Sequence, residues 1–245
     1  MTKDEVLGRK SRPSQVSLAD GSKFTGAVFL YMFLALAITG VVAAVLGLIF
    51  EKFLFNGQSQ EFTKAYAVVL IVSLVLYIPA MIIAQVLAIK NSKGMVPAYV
   101  FYAVTMGVLL STFTNFIPFW EIAVAFGGTC LAFGLMTLIA WFSKKNVSGI
   151  AVAGMGLLMG SLLLVTINLI LGLCGVVVEP LMWVIQFIMF IAIILITIVD
   201  LRRVKEIASN GGAQSNVALL CALSLYVDFI YIFIRLLTVV ARFRK

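Results

Sequence analysis

Leu223-Ser224-Leu225-Tyr226-Val227-Asp228-Phe229-Ile230-Tyr231-Ile232-Phe233-Ile234-Arg235 is a strongly apolar run near the C-terminus with one carboxylate set into its middle. A carboxylate at bilayer depth costs roughly 2.5–3.5 kcal/mol on insertion scales, and chains carry one where it faces a cavity, a partner or an ion path. The surrounding composition makes bilayer depth the relevant setting. Of the 245 residues, 63% are hydrophobic and 11% charged, against about 25% charged in a soluble domain. The chain therefore reads as an all-α integral membrane protein, a shell built around Asp228.

Charge-free intervals extend outward from this stretch. About 20 apolar residues cross a bilayer as a helix, and the intervals are Phe24–Phe50, Ala65–Ile89, Gly94–Trp120, Ile122–Ser143, Asn146–Val178, Pro180–Val199 and Ile207–Val227, the last continuing past Asp228. The fifth holds a span and the turn Gly172-Leu173-Cys174-Gly175. The pattern predicts a seven-transmembrane-helix domain over residues 24–245 behind a polar cytoplasmic tail over residues 1–23. Phe24–Phe50 is too long for a signal-peptide core and lacks a small-residue cleavage site, so it is a retained span.

On alternate sides, twelve lysines and arginines (Lys3, Arg9, Lys10, Arg12, Lys23, Lys90, Lys93, Lys144, Lys145, Arg202, Arg203, Lys205) face Lys52 and Lys64. The positive-inside rule places the N-terminus in the cytoplasm of a multi-pass protein. Arg242, Arg244 and Lys245 would then lie outside. The last segment either crosses fully, giving seven spans, or re-enters, giving six and a hairpin; the full crossing is the expectation.

Several chemistries drop out. The surplus of 18 basic over 10 acidic residues sits in tails and loops, which suits topology and anionic headgroups and not nucleic acid. There is no histidine, which removes histidine metal sites, histidine proton switches and Ser-His catalysis. Cys130, Cys174 and Cys221 lie far apart in or beside apolar runs and read as small buried hydrophobes. No span holds a lysine for a retinal adduct, and the Gly-x-Gly-Asp pattern of intramembrane aspartyl proteolysis is absent. Gly154-x-Gly156-x-x-x-Gly160 is one residue too long for a nucleotide fingerprint and lies inside a span, so it reads as helix packing. Enzyme activity and a bound cofactor are not expected. Small residues four apart (Gly40 and Ala44, Ala43 and Gly47, Gly156 and Gly160) predict close helix approach, and Pro79 predicts a kink in the second span.

The intramembrane polar groups remain: Asp228 and Asp200 first, then Arg235, Asn168, Gln85 and Gln186. With the sixth helix ending near Ala208 and the seventh starting near Asn216, Asp200 and Asp228 stand about 12 and 18 Å above those ends at 1.5 Å per residue. They are then within a helical turn of each other in depth on antiparallel helices. Two facing carboxylates in low dielectric share a proton and titrate as a coupled pair. Such a pair closes a pore when hydrogen-bonded and attracts a hard cation such as calcium when both are ionised. Asp200 also has a plainer reading, an interfacial acid beside the basic Arg202-Arg203 pair. Arg235, two turns beyond Asp228, is a possible charge partner. Gln85, Asn168 and Gln186 are polar pore-lining candidates, with interhelical hydrogen bonding as the alternative.

These residues resemble the Bax inhibitor-1 (transmembrane Bax inhibitor motif) family. Leu225-Tyr226-Val227-Asp228-Phe229-Ile230 with Phe233 is similar to its closing "LYxDFxxxF" signature, and Asp200-Leu201-Arg202-Arg203-Val204 to its penultimate aspartate and basic pair. Tyr31-Met32, Thr39, Phe126-Gly127-Gly128, Ser143-Lys144-Lys145-Asn146-Val147-Ser148-Gly149 and Asn168 extend the match in order. The resemblance implies a bundle with the C-terminal helix at its centre, surrounded by the other six. It further implies a pH-sensitive calcium leak channel whose proton-sensing gate is Asp200 with Asp228, the two binding calcium transiently. Two departures stand out: Asn146 where the family often has aspartate, and no basic residue in Ala65–Ile89 where some members latch the gate with an arginine. Arg235 is a candidate substitute for that latch.

The same resemblance permits a non-conducting membrane regulator that binds other membrane proteins, such as a protease or a cell-death pathway, in a cytoprotective role. A proton–calcium exchanger is a third reading. Short tails and the form of the closing motif look like bacterial members, which implies a bacterial inner (cell) membrane.

Overall fold

The computed structural model describes residues 18–55, 59–90, 94–142, 148–173, 179–210 and 215–243. Seven long apolar helices make up these residues: α1 (Leu18–Phe55), α2 (Ser59–Ile89), α3 (Met95–Phe116), α4 (Phe119–Phe142), α5 (Ser148–Leu173), α6 (Glu179–Ser209) and α7 (Ser215–Phe243). Each holds a stretch long and apolar enough to cross a membrane. Residues 1–17 of the expected tail, Cys174 and the Ser143–Val147 part of the family match lie outside the described residues.

The helix ends depart from the charge-free intervals in ways the local chemistry explains. α1 begins at Leu18, so Leu18–Lys23 of the expected tail is helical. Pro118 cannot continue a helical hydrogen-bond ladder, and the chain turns there. Ile117 N–H closes α3 on the Phe113 carbonyl at 2.9 Å, and the Pro118 carbonyl accepts from Glu121 N–H at 3.0 Å. Trp120, expected in the third span, therefore belongs to α4. α6 runs through Asp200 and the Arg202-Arg203 pair to Ser209, taking Ile207 from the expected seventh interval. Long basic side chains let a helix continue past the interface by reaching out to water. Lys205 adds a tertiary tie, donating its Nζ to the Trp141 carbonyl at the end of α4 at 2.6 Å.

α7 is one continuous helix of 29 residues, about 43 Å at 1.5 Å per residue against a hydrocarbon core of about 30 Å. It crosses fully, and the hairpin alternative is not adopted. A broad face of it is buried: Leu219, Ala222, Leu225, Tyr226, Phe229, Ile232 and Leu237 all lie inside. In α7, 67% of the span is buried, against 11% of α5. α7 packs against α1, α2, α3, α4 and α6, whereas α5 packs against α6. The C-terminal helix is thus central, but five helices and not six form its wall. α5 turns its aliphatic side chains outward to lipid.

Close approach is made at fewer glycines than the spacing predicts. A Cβ on Gly107 of α3 would come within 2.7 Å of the Val42 Cβ and 2.8 Å of the Thr39 carbonyl oxygen on α1. Gly47, next to buried Ala43 in the chain's small-residue face, meets Thr114 in the same crossing. Gly40, Gly156 and Gly160 face open space, and it is Gly154 that meets Ile196 and Leu195 of α6. Cys221 is buried as expected, but Cys130 is exposed, because α4 turns Ala125, Thr129, Phe133 and Met136 to the core. α2 continues through Pro79. Gly107→Ala should force α1 and α3 apart and cost about 1–3 kcal/mol. Gly160→Ala should stay within about 0.5 kcal/mol. Thermal unfolding of the detergent-solubilised protein, followed by helical circular dichroism, separates the two.

Candidate functional site

Asp228 and Asp200 come from α7 and α6, which run antiparallel from the short connection between Ser209 and Ser215. Counted from those ends at 1.5 Å per residue, Asp200 stands about 14 Å and Asp228 about 20 Å deep. Asp228 is buried (7% exposed) and Asp200 half-buried. The two charges are close enough to act on each other, and Thr197 lies near the Asp228 carboxyl. Thr197 and Asp200 are three apart, so they share a face of α6, and that face is turned to Asp228. The Thr197 hydroxyl donates to the Ile193 carbonyl at 2.8 Å; by rotation it can serve the carboxylate instead. One oxygen of Asp228, Oδ2, is buried with no hydrogen-bond partner. A buried acceptor left unsatisfied costs about 1–3 kcal/mol.

Towards the short α6–α7 connection, the two helices line a half-open cavity of about 100 Å³, bounded by Asp200, Arg203, Val204, Leu220, Cys221 and Ser224 among others, room for several waters. Ser224 is one turn before Asp228 on α7, so the cavity stops a helical turn short of the inner carboxylate. The charge of Arg203, an exposed residue at the cavity's outer part, acts on Asp200. The remaining predicted residues stand elsewhere. Gln85 on α2, Asn168 on α5 and Gln186 on α6 are half-buried, and none lines the cavity. Asn168 leaves its Nδ2 without a partner on a helix outside the α7 wall. Arg235 does not bridge to Asp228: its Nη2 donates to the Met189 sulfur on α6 at 3.1 Å.

Aromatic and hydroxyl contacts fix α7 around the carboxylate. Tyr226 meets Thr39 of α1 hydroxyl to hydroxyl at 2.6 Å, and Thr39 donates to the Ala103 carbonyl of α3 at 2.9 Å. The Tyr226 hydroxyl is therefore the donor to Thr39. Phe126 of α4 packs edge-on against Phe229 and Phe233, at 5.6 and 6.3 Å between ring centres. The Tyr99 hydroxyl donates to the Tyr31 carbonyl at 3.2 Å. Tyr102 packs edge-on against Tyr226 at 5.8 Å between ring centres, and its hydroxyl donates to Tyr77, which meets Tyr231, each step 3.3 Å. Residues of the matched motifs from α1, α4 and α7 thus converge on one helix. The chain belongs to the Bax inhibitor-1 family.

The comparison that shows this is a match of the family described as "Inhibitor of apoptosis-promoting Bax1" over residues 21–245. Bacterial membrane proteins are similar to the chain. An uncharacterised membrane protein of Streptococcus pyogenes serotype M3 is 30% identical over 160 residues, 65% of this chain and 69% of that one. Protein YrjE of Lactococcus lactis is 29% identical over 155 residues, 62% and 64% of the two chains. The inner membrane protein YbhL of Escherichia coli K12 is 29% identical over 146 residues, 58% and 60%. No solved structure matches the chain.

Sequence reasoning missed Thr197, Ser224 and the Tyr77–Tyr231 contact. Thr197 was the most legible, since it is a hydroxyl three residues before Asp200 in an aliphatic run. Tyr77 and Tyr231 carry no such signal, because their meeting depends on how α2 leans on α7. Buried Glu121 was also missed. It sits in the first turn of α4, where the helix dipole favours an acid. The Tyr226–Thr39–Ala103 chain sets an order of stability. Tyr226→Phe should cost about 1 kcal/mol, one net hydrogen bond, whereas Thr39→Val strands the buried Tyr226 hydroxyl and should cost about 1–3 kcal/mol. Denaturant unfolding in mixed micelles reads both values.

Proposed function

We propose that this Bax inhibitor-1 family protein is a passive, pH-sensitive calcium leak of a bacterial cell membrane and not an enzyme. In this reading the N-terminus faces the cytoplasm, and Asp200 and Asp228 are the gate. The observation that carries the proposal is the position of Asp228. It is buried at mid-membrane with an unpartnered oxygen, within electrostatic reach of Asp200, and one helical turn beyond a largely apolar cavity into which Asp200, Arg203 and Ser224 are set.

Two like charges that act on each other in a water-poor interior disfavour joint ionisation, so proton occupancy of the pair controls what it can do. With a proton between them the carboxyls tie α6 to α7 and seal the turn between Ser224 and Asp228. With the protons redistributed, the tie is lost and the cavity can extend past Asp228. Calcium takes six to eight oxygen ligands. Two carboxylates, the Thr197 and Ser224 hydroxyls and water suit an ion in passage, and among the described residues no group of three acidic, cysteine or histidine side chains forms a holding site. The calcium ion is cargo here and no resident cofactor is required.

The family description, "Inhibitor of apoptosis-promoting Bax1", favours a second reading: a non-conducting regulator of other membrane proteins. Calcium entry into dye-loaded proteoliposomes, followed from mildly acidic to mildly alkaline pH, distinguishes the readings. The leak predicts flux that varies with pH in the parent protein and loses that variation in Asp228→Asn and in Asp200→Asn, with helical content unchanged. Folded parent protein with no flux above empty liposomes at any pH sinks the leak and leaves the regulator. Uphill calcium movement driven by an imposed pH gradient would identify an exchanger.

A further inference from the structure

The far end of α7, away from the Asp200 cavity, carries two arginines that the leak does not use. Arg235 is half-buried, and its hydrogen bond is to the Met189 thioether at 3.1 Å, a weak acceptor. Seven residues on, and so on the same face two turns away, Arg242 lies over the Trp183 ring of α6 with its guanidinium carbon 4.6 Å from the ring centre. Among the described side chains the ion pair is Arg202 with Glu206 at the other end of α6, and none of their carboxylates is paired with either arginine. A guanidinium presents a rigid fork of donors that matches phosphate oxygens, and here two such forks meet only sulfur and a ring face.

The surroundings have the shape of a lipid. Trp183, Phe187 and Ile191 recur every four residues on α6 and are exposed, forming an apolar stripe that descends from Arg242. α7 exceeds the hydrocarbon thickness by about 13 Å; divided between its ends, this places the boundary about 6 Å along the axis from Arg235, within reach of its side chain. Two guanidinium groups favour a headgroup of net negative charge over a zwitterionic one, whose own cation they repel.

We propose that the α6–α7 seam at this end binds one anionic phospholipid, with its phosphate between Arg235 and Arg242 and an acyl chain along Trp183, Phe187 and Ile191. The assignment does not depend on the leak. It is tested with the full-length protein carrying Trp120→Phe and Trp141→Phe, which leaves Trp183 as the one indole. The protein is reconstituted in phosphatidylcholine with increasing fractions of brominated phosphatidylglycerol or brominated phosphatidylcholine, and quenching of Trp183 fluorescence is read. The glycerol lipid should quench at a several-fold lower mole fraction. Arg235→Gln with Arg242→Gln should erase that difference while quenching by the choline lipid persists, and Arg242→Gln alone, at the exposed helix end, should reduce it. Lys52→Gln, another exposed cation at this end, should leave it intact. Equal quenching by the two lipids in the parent, or a preference that survives the double substitution, overturns the proposal. Loss of the preference on adding excess inorganic phosphate would assign the arginines to a free anion and overturn the lipid as ligand.

Discussion

Burying one carboxylate at mid-membrane constrains most of this structure. Asp228 cannot face hydrocarbon without a cost of a few kcal/mol, so the helix that carries it must be enclosed. Enclosure in turn requires α7 to be apolar on the faces away from Asp228, as the buried Leu219, Ala222, Leu225, Phe229, Ile232 and Leu237 are. The walls then follow from what α7 presents. Tyr226 demands a hydroxyl partner and finds Thr39. Phe229 and Phe233 demand a ring to pack on and find Phe126. The tight α1–α3 crossing at Gly107 brings Thr39 and the Ala103 carbonyl to the same point.

The seam between α6 and α7 is the exception to this dense packing. At one end it holds a cavity with Asp200, Arg203 and Ser224; in the middle it holds Thr197 against Asp228; at the other end it holds Arg235 against a thioether and Arg242 over an indole. Polar groups are concentrated where two antiparallel helices share one short connection. A change of proton or ligand at any point of this seam would act on the same pair of helices. The α4–α7 and α1–α3 contacts are made of interlocked rings and backbone-close glycine.

Much of this was legible from the residues. Hydrophobic intervals mark seven crossings because a bilayer imposes a length that any spanning helix must meet. The depths of Asp200 and Asp228 follow from counting residues along helices of constant rise. The intervals misplaced helix ends at Pro118 and around Ile207, since a charge does not end a helix if its side chain can reach water. Small-residue spacing identified Ala43 with Gly47 but also Gly156 with Gly160, which face open space while Gly154 makes the contact. Spacing tells which residues share a face and is silent on whether that face meets a helix or lipid. For the same reason Cys130, Gln85 and Asn168 could not be sorted by composition: in a membrane protein the outside is as apolar as the inside.

By itself, the sequence determined the class of protein, the seven crossings, the central character of α7 and the two carboxylates at similar depth. These depend on hydrophobicity and on position along a helix, which are properties of the chain in one dimension. Only the tertiary structure decided that the Thr197–Asp200 face of α6 turns to Asp228, that Arg235 turns to Met189 instead, and that α5 stands outside the wall. Rotation of a helix about its axis and the choice of its neighbours are set by the fit of side chains between helices. No single helix contains that information.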